Sequence, residues 1–380
     1  MNILFYEYGV SPFAGGVQRV SYNVAKQLKG ENNTYVCYMT DEKYSPDYDE
    51  AFSDHINIQD HSSVSHKRLL EFIRLHRITS IINQSGFSKE DTAFLHGIKL
   101  EYDVMIYSFI HIAPTGSMDV LGYRDWNFPK LVLRSLAKEF VYFFYKADSK
   151  KYQAVYELSD KIVLLSEFLI DDFKKKIRNQ DAARKICAIP NMVSYPPQDK
   201  AILSAKQKKI LVVARMGETP KRLSRVLYAW RELHKSLYDW ELLFVGDGSD
   251  LPRYKELARK MDLPRLTFAG QADPHKYYEE SSIFLMTSAT EGFGMTILEA
   301  MQFGVVPVVM DSCKAFHEIL TNGENGFITE NKSLPAFRQK IVELANDNKK
   351  RQRMAQNAMD SASRFYPDVI IACWKQLLGI

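Results

Sequence analysis

Short apolar runs alternate along this chain with longer stretches in which apolar residues return every three to four positions. In the first half the runs lie at 2–8, 34–39, 78–82, 104–107, 162–165 and 186–189. In the second they lie at 210–214, 241–245, 266–268, 283–286 and 305–310. Each is too short for a helix, so each predicts a buried strand. Helical periods are predicted over 17–30, 67–76, 90–95 and 126–156, then from Leu223 to Trp230, with a last amphipathic helix over 367–378. Strands that alternate with helices must pair in parallel, which predicts an α/β, doubly wound architecture. One interruption divides the chain. Residues 192–209 hold Pro196, Pro197 and several lysines without a clear sheet pattern, and are expected to link a domain at 1–191 to one at 210–366. At 380 residues there is enough chain for two such cores.

The most informative stretch is 283–310. A strand is followed by the turn Ser288-Ala289-Thr290-Glu291-Gly292, then by a helix with Ile297, Ala300 and Met301 on one face. Gly304 stands where that helix would stop, and another strand follows. Gly292 and Gly294 flank the helix start, where free backbone N–H groups can come close to an anion. Glu291 and Glu299 bracket this place. Carboxylates do not ligate phosphate, but they accept hydrogen bonds from sugar hydroxyls. The pair therefore points to a nucleotide-sugar diphosphate.

The run Glu291-Gly-Phe-Gly-Met-Thr-Ile-Leu-Glu299, with Ala300-Met301 and Gly304-x-x-Pro307 after it, resembles the E-x7-E signature of the family-4 retaining glycosyltransferases. The resemblance implies a GT-B fold: two Rossmann-like α/β domains with the active site in the cleft between them. It implies that Glu291 contacts the donor sugar and Glu299 the ribose. The backbone of Gly292, Phe293, Gly294, Met295 and Thr296 would hold the diphosphate. Arg215, just after strand 210–214, and Lys221 resemble the family's R…K pair on the donor phosphates; Ala214 replaces the usual glycine, and the spacing to Lys221 is longer than usual. Gly246, in the turn Gly246-Asp-Gly248, is a further donor-site residue, and Ala272 is where the family reads the base through its backbone. In the first half, Gly15-Gly16-Val-Gln-Arg19 resembles the family's glycine loop, with Gln18 where Glu is commoner; two glycines alone are equally a plain turn. His111 follows strand 104–107. A lone histidine is as readily structural, but the resemblance places it by the donor sugar or the acceptor, and it joins Glu291 as a catalytic candidate. Pro190-Asn191 matches the end of the family's first domain, and the last helix, 367–380, is expected to cross back onto that domain.

Composition narrows the setting. The formal net charge of +4 is too small for a nucleic-acid-binding field. The four cysteines, Cys37, Cys187, Cys313 and Cys373, lie far apart and fit reduced core thiols. The start of the chain lacks the basic region of a signal peptide, and no apolar run reaches membrane-spanning length, so a cytoplasmic protein is expected. Asp47-Tyr48-Asp49 has the form of a metal-binding D-x-D, but it lies in a polar loop and not at a strand end. Neither a metal nor a cofactor is expected beyond the nucleotide-sugar substrate. The aromatic, basic stretch around Phe140–Tyr145, with Lys174-Lys175-Lys176 downstream, fits either a surface resting on anionic lipid at the inner membrane face or a core helix with solvated lysines.

The expected reaction is transfer of a sugar from a nucleotide-diphosphate sugar to a glycan or lipid-linked acceptor, with retention of anomeric configuration, in polysaccharide or cell-surface glycan synthesis. Two alternatives share the donor site: a nonhydrolysing sugar-nucleotide epimerase, and a catalytically silent sugar-nucleotide-binding protein.

Overall fold

In a computed structural model, which describes residues 1–12, 15–114 and 148–380, the chain divides into two compact units. The first is built from the chain up to Met192 together with Pro367–Ile380, the second from Val193–Tyr366. In chain order the first unit holds β1 (Asn2–Glu7), α1 (Gly16–Leu28), β2 (Asn33–Tyr38), β3 (Asp54–Asn57), α2 (Ser63–Leu75), β4 (Ser80–Asn83), α3 (Lys89–Glu101), β5 (Met105–Ile110), β6 (Lys161–Leu164), α4 (Ile170–Ile177) and β7 (Ile186–Ala188). The second continues with β8 (Lys209–Val213), α5 (Glu218–Lys221), α6 (Ser224–Leu233), β9 (Glu241–Val245), α7 (Leu251–Lys260), β10 (Leu266–Phe268), α8 (His275–Glu280), β11 (Ile283–Met286), α9 (Met295–Gln302), β12 (Val306–Met310), α10 (Phe316–Ile319), β13 (Phe327–Thr329), α11 (Leu334–Asn346) and α12 (Asn348–Ala362). The last helix, α13 (Pro367–Leu378), belongs to the first unit.

The first sheet is parallel with order β3-β2-β1-β4-β5-β6-β7, so the winding reverses between β1 and β4. Both faces are covered, which is why these strands read as continuous apolar runs. On one face Leu4, Tyr6, Cys37, Ile81 and Ile106 pack against Leu69, Ile73, Leu95 and Ile98 of α2 and α3. On the other, Trp374 of α13 stacks on Phe109 with ring centroids 4.5 Å apart and lies 6.3 Å from Phe5. Lys375 of the same helix pairs with Glu31 at 2.5 Å. Helix starts are fixed by serines: Ser62 caps α2 and Ser88 caps α3.

The second sheet has order β10-β9-β8-β11-β12-β13, again parallel, and reverses between β8 and β11. Its core joins Ile210, Leu242, Phe244, Leu285 and Val308 to Trp230, Trp240, Ile341 and Met354. Helix α9 ends as the glycine predicts. Gly304, at φ +67°, donates to Met301, and Val305 donates to Ala300, satisfying the last carbonyls. A side chain at Gly304 would also fall 2.3 Å from Leu203.

One strand escapes the sequence pattern, and two expectations need correction. Strand β3 has no apolar run: of its four residues only Ile56 is buried, so it gives no periodic signal. The segment from Val193 to Lys208 is not a free linker but part of the second unit. Gln302 accepts from the Tyr195 N–H at 3.3 Å and donates back to its carbonyl at 2.6 Å, and Lys206 donates to the Tyr278 carbonyl at 2.6 Å. Side chains from other helices supply the order that this segment's own pattern lacks. In the basic run, Lys176 is 2% exposed and pairs with Asp148 at 2.5 Å, so this lysine is a buried charge and not part of a lipid-facing surface. Residues 140–145, on which the membrane expectation chiefly rests, lie outside the described residues. Among the described residues no helix is long and apolar enough to cross a membrane.

Candidate active site

In the second unit the site forms at the carboxyl ends of β8 and β11, the neighbouring strands at which the winding reverses. The loop after β8 is held by carboxylates. Asp250 accepts from the Glu218 N–H at 2.8 Å, and Glu218 accepts from Ser224 at 2.6 Å and from the Tyr254 hydroxyl at 2.8 Å. The loop after β11 is laced to it. The Ala289 N–H donates to the Pro220 carbonyl at 2.7 Å, and the Thr287 hydroxyl donates to the carbonyls of Lys221 and Arg222 at 3.3 and 3.0 Å. Glycine makes a third loop possible here. A Cβ at Gly246 would lie 2.0 Å from the Ala214 carbonyl oxygen, and one at Gly248 2.6 Å from that of Met216.

This scaffold brings Lys221 and Glu291 together, 70 residues apart in sequence, with Nζ 2.6 Å from Oε1. Their side chains are 22% and 13% exposed, so the pair is shielded yet reachable. Cys313 donates to the Glu291 carbonyl at 3.3 Å and steadies the loop from behind. Three residues on, Gly294 takes the left-handed conformation, φ +103°, and opens α9; a Cβ there would meet Ile297 at 2.9 Å. The amides of Met295 and Thr296, in the first turn, have no preceding helical carbonyl to bond and carry the positive end of the helix dipole. Gly292, Met295 and Thr296 are half-buried, while Phe293 is buried and packs edge-on to Phe365 with centroids 5.9 Å apart. Glu299 lies deeper, 4% exposed, and accepts from Ser194 at 2.8 Å and from the Tyr278 hydroxyl at 2.9 Å. The two glutamates thus differ in kind: one is paired with a cation at the rim, the other is held by hydroxyls within the fold. Arg215 is exposed two residues beyond β8, and Ala272 is half-buried in the turn between β10 and α8.

The remaining candidates lie in the first unit. Gly15 is the residue before α1 and has extended backbone; its carbonyl accepts from the Arg19 N–H at 3.1 Å. A side chain at Gly16 would meet nothing within 4 Å, so packing does not require glycine there. A Cβ at Gly9 or at Gly15 would lie 2.3 or 2.7 Å from the flexible Gln18 side chain. His111 follows β5 directly. Its Nε2 lies 2.6 Å from Gln84 Oε1, its ring stacks on Phe109 with centroids 6.3 Å apart, and burial pulls its pKa from 6.5 down to about 4.

Sequence reasoning missed several polar groups that the fold brings together. Gln84 is one, and the Glu299 partners Ser194 and Tyr278 are two more. Asp91, fully buried, accepts from Tyr6 at 2.9 Å and from Tyr8 at 2.8 Å, with His61 2.9 Å away. Asp47 and Asp49 sit exposed in the turn Pro46–Glu50, whose buried anchor is Tyr48, bonded to Glu7 at 2.8 Å. Among the described residues no three His, Cys, Asp or Glu side chains gather as a metal site.

Similarity to known proteins agrees with this geometry. The family Glycosyl transferases group 1 matches residues 197–361. An uncharacterized glycosyltransferase of Haemophilus influenzae is 25% identical over 378 residues, 96% of each chain. The amylovoran biosynthesis glycosyltransferase AmsD of Erwinia amylovora is 25% identical over 233 residues, 59% of this chain and 63% of that one. Among solved structures, Anabaena HepE in complex with UDP superposes with a TM-score of 0.75 at 16% identity, covering 100% of both chains. The chain therefore has the GT-B fold, and its residues 197–361, somewhat under half of it, are similar to the Glycosyl transferases group 1 family.

Proposed function

We propose that this protein transfers a sugar from a nucleoside-diphosphate sugar to a glycan or lipid-linked acceptor, with retention of anomeric configuration, in polysaccharide or cell-surface glycan synthesis at the cytoplasmic side of the membrane. The observation that carries the reading is the Lys221–Glu291 pair, 2.6 Å apart, beside the open N-terminus of α9. In the transfer the bond from the anomeric carbon to the diphosphate breaks and a bond from that carbon to the acceptor oxygen forms on the same face. The acceptor proton leaves with the departing phosphate. Charge grows on the diphosphate and positive character on the sugar ring. Lys221, Arg215 and the amides of 292–296 answer the first, and Glu291 answers the second. Glu299 holds the ribose, which does not change during transfer. His111 meets the sugar or the acceptor. Fixed cations replace a metal in this scheme.

The names of the relatives support the setting: the Erwinia protein is named for amylovoran biosynthesis, and HepE was solved with UDP. The test is a thermal-shift panel of nucleotide sugars, uridine donors first, followed by transfer assays and NMR of the product's anomeric configuration. A donor that stabilises the protein and yields a retained glycoside supports the reading. A new sugar nucleotide formed without any acceptor would indicate an epimerase instead.

A further inference from the structure

The first unit holds a polar pair for which the transfer scheme does not account. Gln84 lies just past β4 and His111 just past β5, and these strands pair side by side. Gln84 is 2% exposed, and its backbone N–H is tied to the Tyr6 carbonyl of β1 at 3.0 Å. Two residues on, a Cβ at Gly86 would fall 2.5 Å from the Phe109 carbonyl oxygen, so the chain after β4 is pressed against β5 as only glycine allows. The ring of His111 is held from below by Phe109, and Phe109 in turn by Trp374 at 4.5 Å and 7°. Backbone and stacking therefore fix both ends of the 2.6 Å contact between Gln84 Oε1 and His111 Nε2.

We propose that Gln84 is a positioning residue: its side-chain oxygen holds His111 as the Nε2–H tautomer, leaving Nδ1 as the acceptor for a substrate hydroxyl. The inference rests on the reading of His111 as a group that meets substrate. An uncharged imidazole has a single N–H, and a carbonyl oxygen at Nε2 requires it there. Burial keeps the ring uncharged at neutral pH, and no charged side chain contributes to that shift. The other end of the same amide is informative. Gln84 Nε2 is buried without a hydrogen-bond partner among the described residues. A residue kept for packing alone would do better as an apolar side chain, which strands no donor. The opposite orientation of the amide would produce the Nδ1–H tautomer, so the tautomer itself is the readout.

The experiment uses the full chain with 15N-labelled histidine and long-range 1H–15N spectra near neutral pH, without substrate. The wild type should show the Nε2–H pattern for His111. Gln84→Met should lose that single tautomer while melting no lower than wild type, because it removes the stranded amide. Its kcat should fall roughly tenfold or more with donor KM little changed. An Nδ1–H pattern in the wild type overturns the proposal, as does a Gln84→Met variant with unaltered tautomer or unaltered kcat. Failure of the wild type to transfer any sugar would count against the function proposed above, and the spectra would still decide the role of Gln84.

Discussion

Glu7→Gln tests whether a carboxyl group buried at the end of a strand is carried in its neutral form. Glu7 is the last residue of β1 and 1% exposed. Burial pushes its pKa from 4.5 up to about 8, with the hydroxyls of Ser21 and Tyr48 pulling only partly against it. A raised carboxyl pKa means that the fold binds a proton the unfolded chain gives up. The contribution to stability is complete below 4.5, and is lost as pH rises through that value toward 8. Each pH unit in that window corresponds to about 1.4 kcal/mol, so the full span is roughly 5 kcal/mol, and roughly 3 kcal/mol is already gone at neutral pH. Glutamine has the shape of the protonated acid, accepts from Tyr48 as Glu7 does, and does not titrate. The variant should match wild type near pH 5 and exceed it by several kcal/mol near pH 8. Urea unfolding across that range measures the difference, provided the m-values agree. A difference that stays constant with pH would refute the reasoning, because the carboxyl would then not be titrating between those limits.

Three further outcomes bear on the site. Glu291→Ala should mainly lower kcat, since a carboxylate beside the sugar gains value as positive character develops, whereas Glu299→Gln should mainly raise donor KM. Glutamine is the better probe at the second position because alanine would strand Ser194 and Tyr278, each hydroxyl costing about 1–3 kcal/mol. Calorimetry with the preferred nucleoside diphosphate should find the Glu299 variant the weaker binder, and the reverse order would exchange the two roles. Lys221→Met, which leaves Glu291 shielded and unpaired, should cut kcat about a hundredfold, read from initial rates, and Lys221→Arg should recover part of it. Transfer should continue at full rate in chelator, and a strict requirement for added magnesium or manganese would show that the fixed cations are insufficient.

The architecture could be read from the chain because parallel strands covered on both faces announce themselves. The runs at 283–286 and 305–310 became β11 and β12, and Gly304 stopped α9 where a left-handed residue was expected. The pattern failed where order is imposed from outside. Strand β3 buries one residue of four and takes its conformation from pairing with β2. The segment through Pro196 and Pro197 carries no period of its own, and Gln302 and Glu299 hold it through bonds to Tyr195 and Ser194. Neither partner is visible from within the segment.

The candidate site could be read to the same depth, and for the same reason. Glu291, Gly294 and Glu299 belong to one strand–turn–helix, so their relation is local and survives in the spacing. Lys221 is 70 residues from Glu291, yet its place just beyond β8 was enough, because β8 and β11 are the strands at which the sheet reverses. Gln84 had no such sign. It follows β4 as one polar residue among Asn83, Ser85 and Gly86, and nothing in that run distinguishes an amide that turns to solvent from one that turns to a histidine. The distinction appears only when β4 is placed beside β5, with Asn83 opposite Ser108, so that Gln84 comes alongside the last residues of β5. Glycine spacing misleads in the same way. The Gly15-Gly16 pair draws the eye, but the places where neighbouring backbone leaves no room for a side chain are Gly86, Gly246 and Gly248, pressed against Phe109, Ala214 and Met216. In a doubly wound sheet some contacts lie within the turn and helix after one strand, and others join the turns after neighbouring strands. A motif within one turn can therefore reveal the first kind, while the second requires the strand order.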